Sequence, residues 1–169
     1  MKFLSLLSIL TVFAGLANAT NDFVTYPEPL KAPVTLFETK QGSLNTLGNY
    51  QGKVTILNFW ATWCKPCVVE MPSLNRLQGL YRSKGLAVIP LVGSDADVSK
   101  VRSFYRRYKL RELDYYIDNE NITSQSYQVS GIPVSFIFNK DGKLVAFADG
   151  SINWMSQENK DFIEKLLAE

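Results

Sequence analysis

Two kinds of hydrophobic pattern alternate along this chain. Val54-Thr-Ile-Leu-Asn-Phe-Trp60 and Leu86-Ala-Val-Ile-Pro-Leu-Val92 are nearly continuous apolar runs rich in β-branched residues, which predicts strands buried on both faces. Between them, Lys65 to Lys84 carries Leu74, Leu77, Leu80 and Tyr81 at helical spacing. Pro72 lies inside that stretch and has no N–H for the Val68 carbonyl, so a kink is expected. Asp95 or Asp97 is placed to cap a second helix running to about Tyr108, with Val98, Val101, Phe104, Tyr105 and Tyr108 inward. Tyr115-Tyr-Ile117 is a short apolar run, and a brief helix is expected over Ser124 to Gln128. Val134 to Phe138 and Leu144 to Phe147 flank Asn139-Lys-Asp-Gly142, a hairpin signal. Ser156 to Leu167 closes the chain as an amphipathic helix with Phe162, Ile163, Leu166 and Leu167 inward. Upstream, Val34 to Phe37 reads as a short strand turning at Gln41-Gly42, and the proline-punctuated stretch Thr20 to Pro33 as a surface arm. This order of elements predicts an α/β three-layer sandwich, a mixed β-sheet flanked by helices.

The first residues follow a different pattern. Lys2 precedes an apolar stretch from Phe3 to Leu16, and Ala17-Asn18-Ala19 has the small-x-small form of a cleavage site. Residues 1–19 read as a signal peptide, leaving 20–169 as a single domain; an uncleaved N-terminal membrane anchor is the alternative. Either way the chain is expected in a periplasmic or extracytoplasmic space, where disulfides persist.

Composition narrows the chemistry. A formal net charge of +2 supplies no strong field for nucleic acid, so no nucleic-acid partner is expected. The basic residues Lys100, Arg102, Arg106, Arg107 and Lys109 read as a solvated helix face, with a docking surface as the alternative. The chain has no histidine and two cysteines, which excludes Ser-His-Asp and Cys-His catalysis and leaves no ligand set for zinc; no metal is expected.

Both cysteines fall in Trp63-Cys64-Lys65-Pro66-Cys67, where a buried strand meets a helix. A purely structural disulfide here closes a loop of about four residues, worth roughly 2 kcal/mol against ~4.7 for a hundred-residue loop. A redox-active dithiol fits the placement better, and no cofactor beyond the Cys64–Cys67 couple is required. Cys64 sits at the helix mouth, where free N–H groups and the positive dipole end favour thiolate. Lys65 adds positive charge, and Pro66 fits a first turn that needs no donor there. Cys64 is therefore expected as the exposed nucleophile, and Cys67, a turn further in, as the resolving thiol. Glu70 is the i+3 neighbour of Cys67 inside an apolar run; partial burial makes it a usable base, while an exposed helix Glu is the alternative. Asn58 is a polar interruption of a buried strand, able to hydrogen-bond but not to titrate.

The chain resembles the thioredoxin superfamily, specifically its exported TlpA/ResA-like branch. Asn58-Phe-Trp-Ala-Thr-Trp-Cys-Lys-Pro-Cys67, Glu70-Met-Pro72, Gly131-Ile-Pro133 and the hairpin at Asp141-Gly142 carry the likeness, which runs from about Val34 to Glu169. The resemblance implies thiol–disulfide exchange with protein substrates, a cis bond before Pro133, and a substrate chain held at Trp63, Ile132 and Pro133. Asn58 stands where cytosolic thioredoxins carry an acidic proton acceptor, and the resemblance shifts that role to Glu70. Ala61 stands where the peroxidase relatives carry Thr, which disfavours a peroxidase. The resemblance further implies a monomeric reductant of specific disulfides, in cytochrome c maturation or on a copper-delivery protein, recharged by a membrane thiol reductase. A general disulfide oxidant or isomerase, or a non-catalytic binding module, are the alternatives.

Overall fold

A strand with no polar face must be covered on both sides, and the two long apolar runs occupy the middle of the sheet for that reason. A computed structural model of the chain describes residues 19–20 and 22–169. Its strands are β1 (Ala19–Thr20), β2 (Phe23–Lys31), β3 (Phe37–Thr39), β4 (Leu44–Asn45), β5 (Val54–Phe59), β6 (Leu86–Val92), β7 (Tyr116–Asp118), β8 (Val134–Phe138) and β9 (Lys143–Asp149). Its helices are α1 (Lys65–Tyr81), α2 (Val98–Arg107), α3 (Ile122–Ser126) and α4 (Gln157–Ala168). The strands form one sheet in the order β1-β2-β9-β8-β5-β6-β7-β3-β4. It is mixed: β5 is parallel to β6 and antiparallel to β8, and every residue of β5 and β6 is buried.

Side chains alternate across each strand, so the sheet has two packed faces. On one, Val54, Ile56, Trp60 and Val88 meet Met71, Leu74 and Leu77 of α1, Val101 and Phe104 of α2, and Ile163 and Leu166 of α4. On the other, Leu57, Phe59, Ile89 and Phe138 pack with Phe37 and Tyr127. Asn58 shares the parity of Ile56 and Trp60, so strand alternation turns it toward α1.

The amino-terminal stretch departs from the expected surface arm. Phe23–Lys31 is a strand that pairs antiparallel with β9, with a register shift between Thr25 and Leu30. Pro27 and Pro29, which cannot donate to a ladder, fall within that shift, where the pairing asks nothing of them. Phe23 anchors the strand by stacking on Phe162 and packing against Trp154. The strand expected at Val34 to Phe37 begins only at Phe37, and Val34 is exposed. Leu80, expected inward, is 48% exposed, because the apolar face of α1 narrows to Leu74, Leu77 and Tyr81. Asp97 rather than Asp95 caps α2, accepting from the amides of Ser99 and Lys100, and α1 runs as one helix through Pro72. The export segment lies outside the described residues except for Ala19; among the described residues no helix is long and apolar enough to cross a membrane.

β6 outruns its neighbour β7, which is registered only against Leu91 and Val92. The open part of that edge is closed by a side chain. Gln78 of α1 accepts from the Val88 amide at 2.6 Å and donates to the Leu86 carbonyl at 3.1 Å. Pro90 falls next in the same row, where a missing N–H leaves nothing unpaired. Gln78→Leu leaves a buried N–H and a buried C=O without partners, and urea unfolding is expected to show a loss of about 2–4 kcal/mol. A loss below about 1 kcal/mol shows that Gln78 does not hold this edge.

Candidate functional site

The polypeptide leaves β5 at Phe59 and enters α1 at Lys65, so residues 60–64 carry it from the sheet to the helix mouth. Cys64 is the N-cap residue, with extended backbone, and its sulfur accepts from the Cys67 amide at 3.3 Å. That contact is the N-cap bond usually made by Ser, Thr, Asp or Asn, transferred to sulfur. Cys64 and Cys67 form a disulfide of 2.06 Å. Lys65 and Pro66 occupy the first turn and are exposed.

The expectation that Cys64 is exposed is corrected: it is only 5% exposed in the disulfide, because the segment before Pro133 crosses in front of it. The Ile132–Pro133 bond is cis, and the Ile132 carbonyl oxygen lies 3.7 Å from Cys64 Sγ. The large exposed side chain beside the pair is Trp63, at 78%. A cavity of about 420 Å³ opens next to it, walled by Trp60, Ala61, Thr62, Trp63 and Ile132 on one side and by Asp97 and Lys100 at the start of α2 on the other.

Behind the disulfide lies Glu70, one turn after Cys67 on α1 and only 2% exposed. A buried carboxylate needs donors. Trp154 Nε1 donates to Oε1 at 2.8 Å, Asn58 Nδ2 to Oε2 at 3.4 Å, and the Ile152 amide also donates to the carboxyl. Burial outweighs these bonds and pushes the carboxyl from its ordinary 4.5 up to about 7. Asn58 Nδ2 donates as well to Ser135 Oγ at 2.9 Å, its cross-strand partner on β8. The helix is tied to the segment after β9 by a relay through Ser73, whose hydroxyl donates to the Glu70 carbonyl and accepts from the Trp154 amide.

The residues singled out in the sequence thus converge. Cys64, Cys67, Glu70, Asn58, Trp63, Ile132 and Pro133 surround one helix mouth, with Lys65 and Pro66 on its outer rim. Trp154, Ile152 and Ser135 were not anticipated. Ser135 carried a signal, since it interrupts the apolar run Val134 to Phe138 as Asn58 interrupts its own. Trp154, between a hairpin and a helix, carried none.

Comparison with known proteins adds relatives. Residues 30–147 match the AhpC/TSA family. The thiol-disulfide oxidoreductase ResA of Bacillus thuringiensis subsp. konkukian is 34% identical over 137 residues, 81% of this chain and 75% of that protein. The thioredoxin-like protein YneN of Bacillus subtilis is 35% identical over 135 residues, 79% of this chain and 78% of its own length. A solved structure from Chlorobium tepidum, described as a thiol:disulfide interchange protein DsbE, superposes with a TM-score of 0.72 at 28% identity, covering 83% of this chain and 97% of that one.

The Glu70 environment has a consequence for stability. Unfolded, the carboxyl loses its proton near pH 4.5; folded, it keeps it to about pH 7. Between those values the native state binds the extra proton, so stability falls as pH rises. The oxidised protein is expected to lose about 3 kcal/mol across that window relative to Glu70→Gln. Denaturant titrations of both proteins at pH 4.5 and pH 8 check this, and parallel pH profiles contradict it.

Proposed function

From the premise that the chain belongs to the AhpC/TSA family and is a thiol-disulfide oxidoreductase of the ResA type, we propose that it works outside the cytoplasm as a reductant of specific protein disulfides. The observation that carries the direction is the setting of Cys64. Among the described residues its sulfur receives one amide donor and is almost fully enclosed. Strong oxidants hold their nucleophilic thiolate with favourable charges and dipoles that burial does not offset; here the near-complete enclosure of Cys64 works against the helix N-terminus and Lys65, which leaves the thiolate less favoured than in a strong oxidant and the dithiol more reducing.

In this reading the reduced protein presents Cys64 as thiolate. It attacks one sulfur of a substrate disulfide, forming a Cys64–substrate bond and releasing the other substrate thiolate. Cys67 then passes its proton to the Glu70 carboxylate and attacks Cys64 Sγ. The substrate leaves fully reduced, and the Cys64–Cys67 disulfide holds the two-electron oxidation. The surface position of Trp63 and the closeness of Ile132 to Cys64 support a substrate chain laid along residues 131–133, with its main chain meeting Ile132 and its side chains meeting Trp63 and Pro133. Lys65, Pro66 and Asn58 tune the thiols.

The substrate is a protein disulfide such as that of the oxidised haem-binding cysteines of an apocytochrome, or of a copper-delivery protein, and a membrane thiol reductase returns the electrons. The protein acts as a monomer, exported by the segment 1–19. Equilibration of the Cys64/Cys67 couple with a redox buffer is expected to give a potential of about −270 mV; a value of about −120 mV makes the protein an oxidant and overturns the proposal. In the native compartment Cys67→Ala is expected to accumulate mixed disulfides at Cys64, and Cys64→Ser none. Absence of any trapped partner points instead to a non-catalytic module.

A further inference from the structure

The Glu70 carboxyl is held by a residue that no motif marks. Trp154 lies outside residues 30–147, on the segment joining β9 to α4. Its indole is fully buried and its Nε1 donates to Glu70 Oε1 at 2.8 Å, the shortest hydrogen bond that this carboxyl makes to a side chain. The same residue is fixed by its own backbone, whose amide donates to Ser73 Oγ, and by its ring packing against Phe23 of β2. The indole therefore has little freedom to follow a moving carboxyl. Asn58 makes the longer bond at 3.4 Å and shares its Nδ2 with Ser135.

We propose that Trp154 is a positioning residue for thiol–disulfide exchange: its indole N–H holds the Glu70 carboxyl in register for proton exchange with Cys67. This rests on the role of Glu70 given above. A hydrogen bond donated to a carboxylate favours the ionised form, so Trp154 keeps part of the Glu70 population able to accept a proton although burial opposes it. The groups that donate to the carboxyl are Asn58 on β5, the Ile152 amide and the Trp154 indole, none of which titrates; Cys67, buried one turn earlier on α1, titrates once reduced. The indole adds no charge and no competing titration, and is itself fully buried.

The test follows the attack of Cys67 on a preformed Cys64 mixed disulfide, by stopped flow from pH 5 to 10, in wild type, Glu70→Gln, Trp154→Phe and the double variant. Trp154→Phe is expected to move the midpoint of the pH profile up by about one unit, a roughly tenfold change in the Glu70 ionisation constant. The rate near pH 7 falls several-fold and recovers at high pH, while the attack of Cys64 on a substrate disulfide is unchanged. In the double variant Trp154→Phe adds nothing to the loss caused by Glu70→Gln. An unmoved midpoint, or a loss that adds to that of Glu70→Gln, overturns the role of Trp154 while leaving that of Glu70 intact. If Glu70→Gln itself leaves the profile unchanged, the role of Glu70 fails and that of Trp154 with it. A second measurement needs no substitution at Trp154. In the oxidised wild-type protein its indole N–H resonance is expected to titrate with the Glu70 carboxyl near pH 7, and in Glu70→Gln to stay fixed. A resonance that does not move with pH in the wild-type protein overturns the proposal even where Trp154→Phe fails to fold.

Discussion

Glu70 is a carboxyl group sealed inside an apolar helix face, and the arrangement of the site follows from keeping it there. Burial of an ionisable group costs free energy unless donors surround it. Those donors come from two parts of the chain: Asn58 on the central strand, and the Ile152 amide and Trp154 indole on the segment before the last helix. The strand and that segment are thereby brought to one point behind the disulfide. The carboxyl therefore links the sheet, α1 and the segment before the carboxy-terminal helix. Its proton affinity, raised toward neutrality, suits exchange with a thiol in a way an exposed glutamate does not.

The two cysteines depend on the same framework from the other side. β5 delivers the chain to the start of α1, so the amide of Cys67 points at Cys64. The cis Ile132–Pro133 segment, at the start of β8 beside the end of β5, closes over the sulfur. The enclosure leaves Trp63 and the neighbouring cavity as the exposed surface beside the disulfide. The sulfur is shielded, and an aromatic side chain beside it is presented to solvent.

Away from the site, the sheet shows how polar side chains repair irregular edges. Gln78 substitutes for strand pairing along β6 where β7 is too short. The register shift in β2 absorbs Pro27 and Pro29 and turns what reads as a surface arm into a strand. Periodicity does not reveal either feature. Prolines in sequence argue against a strand, and only the partner β9 shows that the pairing skips them. A buried glutamine at helical spacing looks like any polar residue on a helix flank.

Much of the protein was nonetheless legible from its residues. The central strands, α1, α2, the β8–β9 hairpin and α4 follow from local pattern, since apolar period, capping residues and turn chemistry act over a few positions. The placement of Cys64 and Cys67 at a strand–helix junction follows from their spacing and from the run before them. Glu70 and Asn58 stood out as polar residues in apolar surroundings, which is a local signal too. What only the tertiary structure decided is which groups meet. Asn58 reaches Glu70 across 12 positions, Ser135 reaches Asn58 across 77, and Trp154 reaches Glu70 across 84. Burial at 2% and the proton affinity that follows from it are properties of that assembly, as is the shielding of Cys64 by Ile132. Desolvation and hydrogen bonding depend on the surrounding volume, and no stretch of sequence contains that volume by itself.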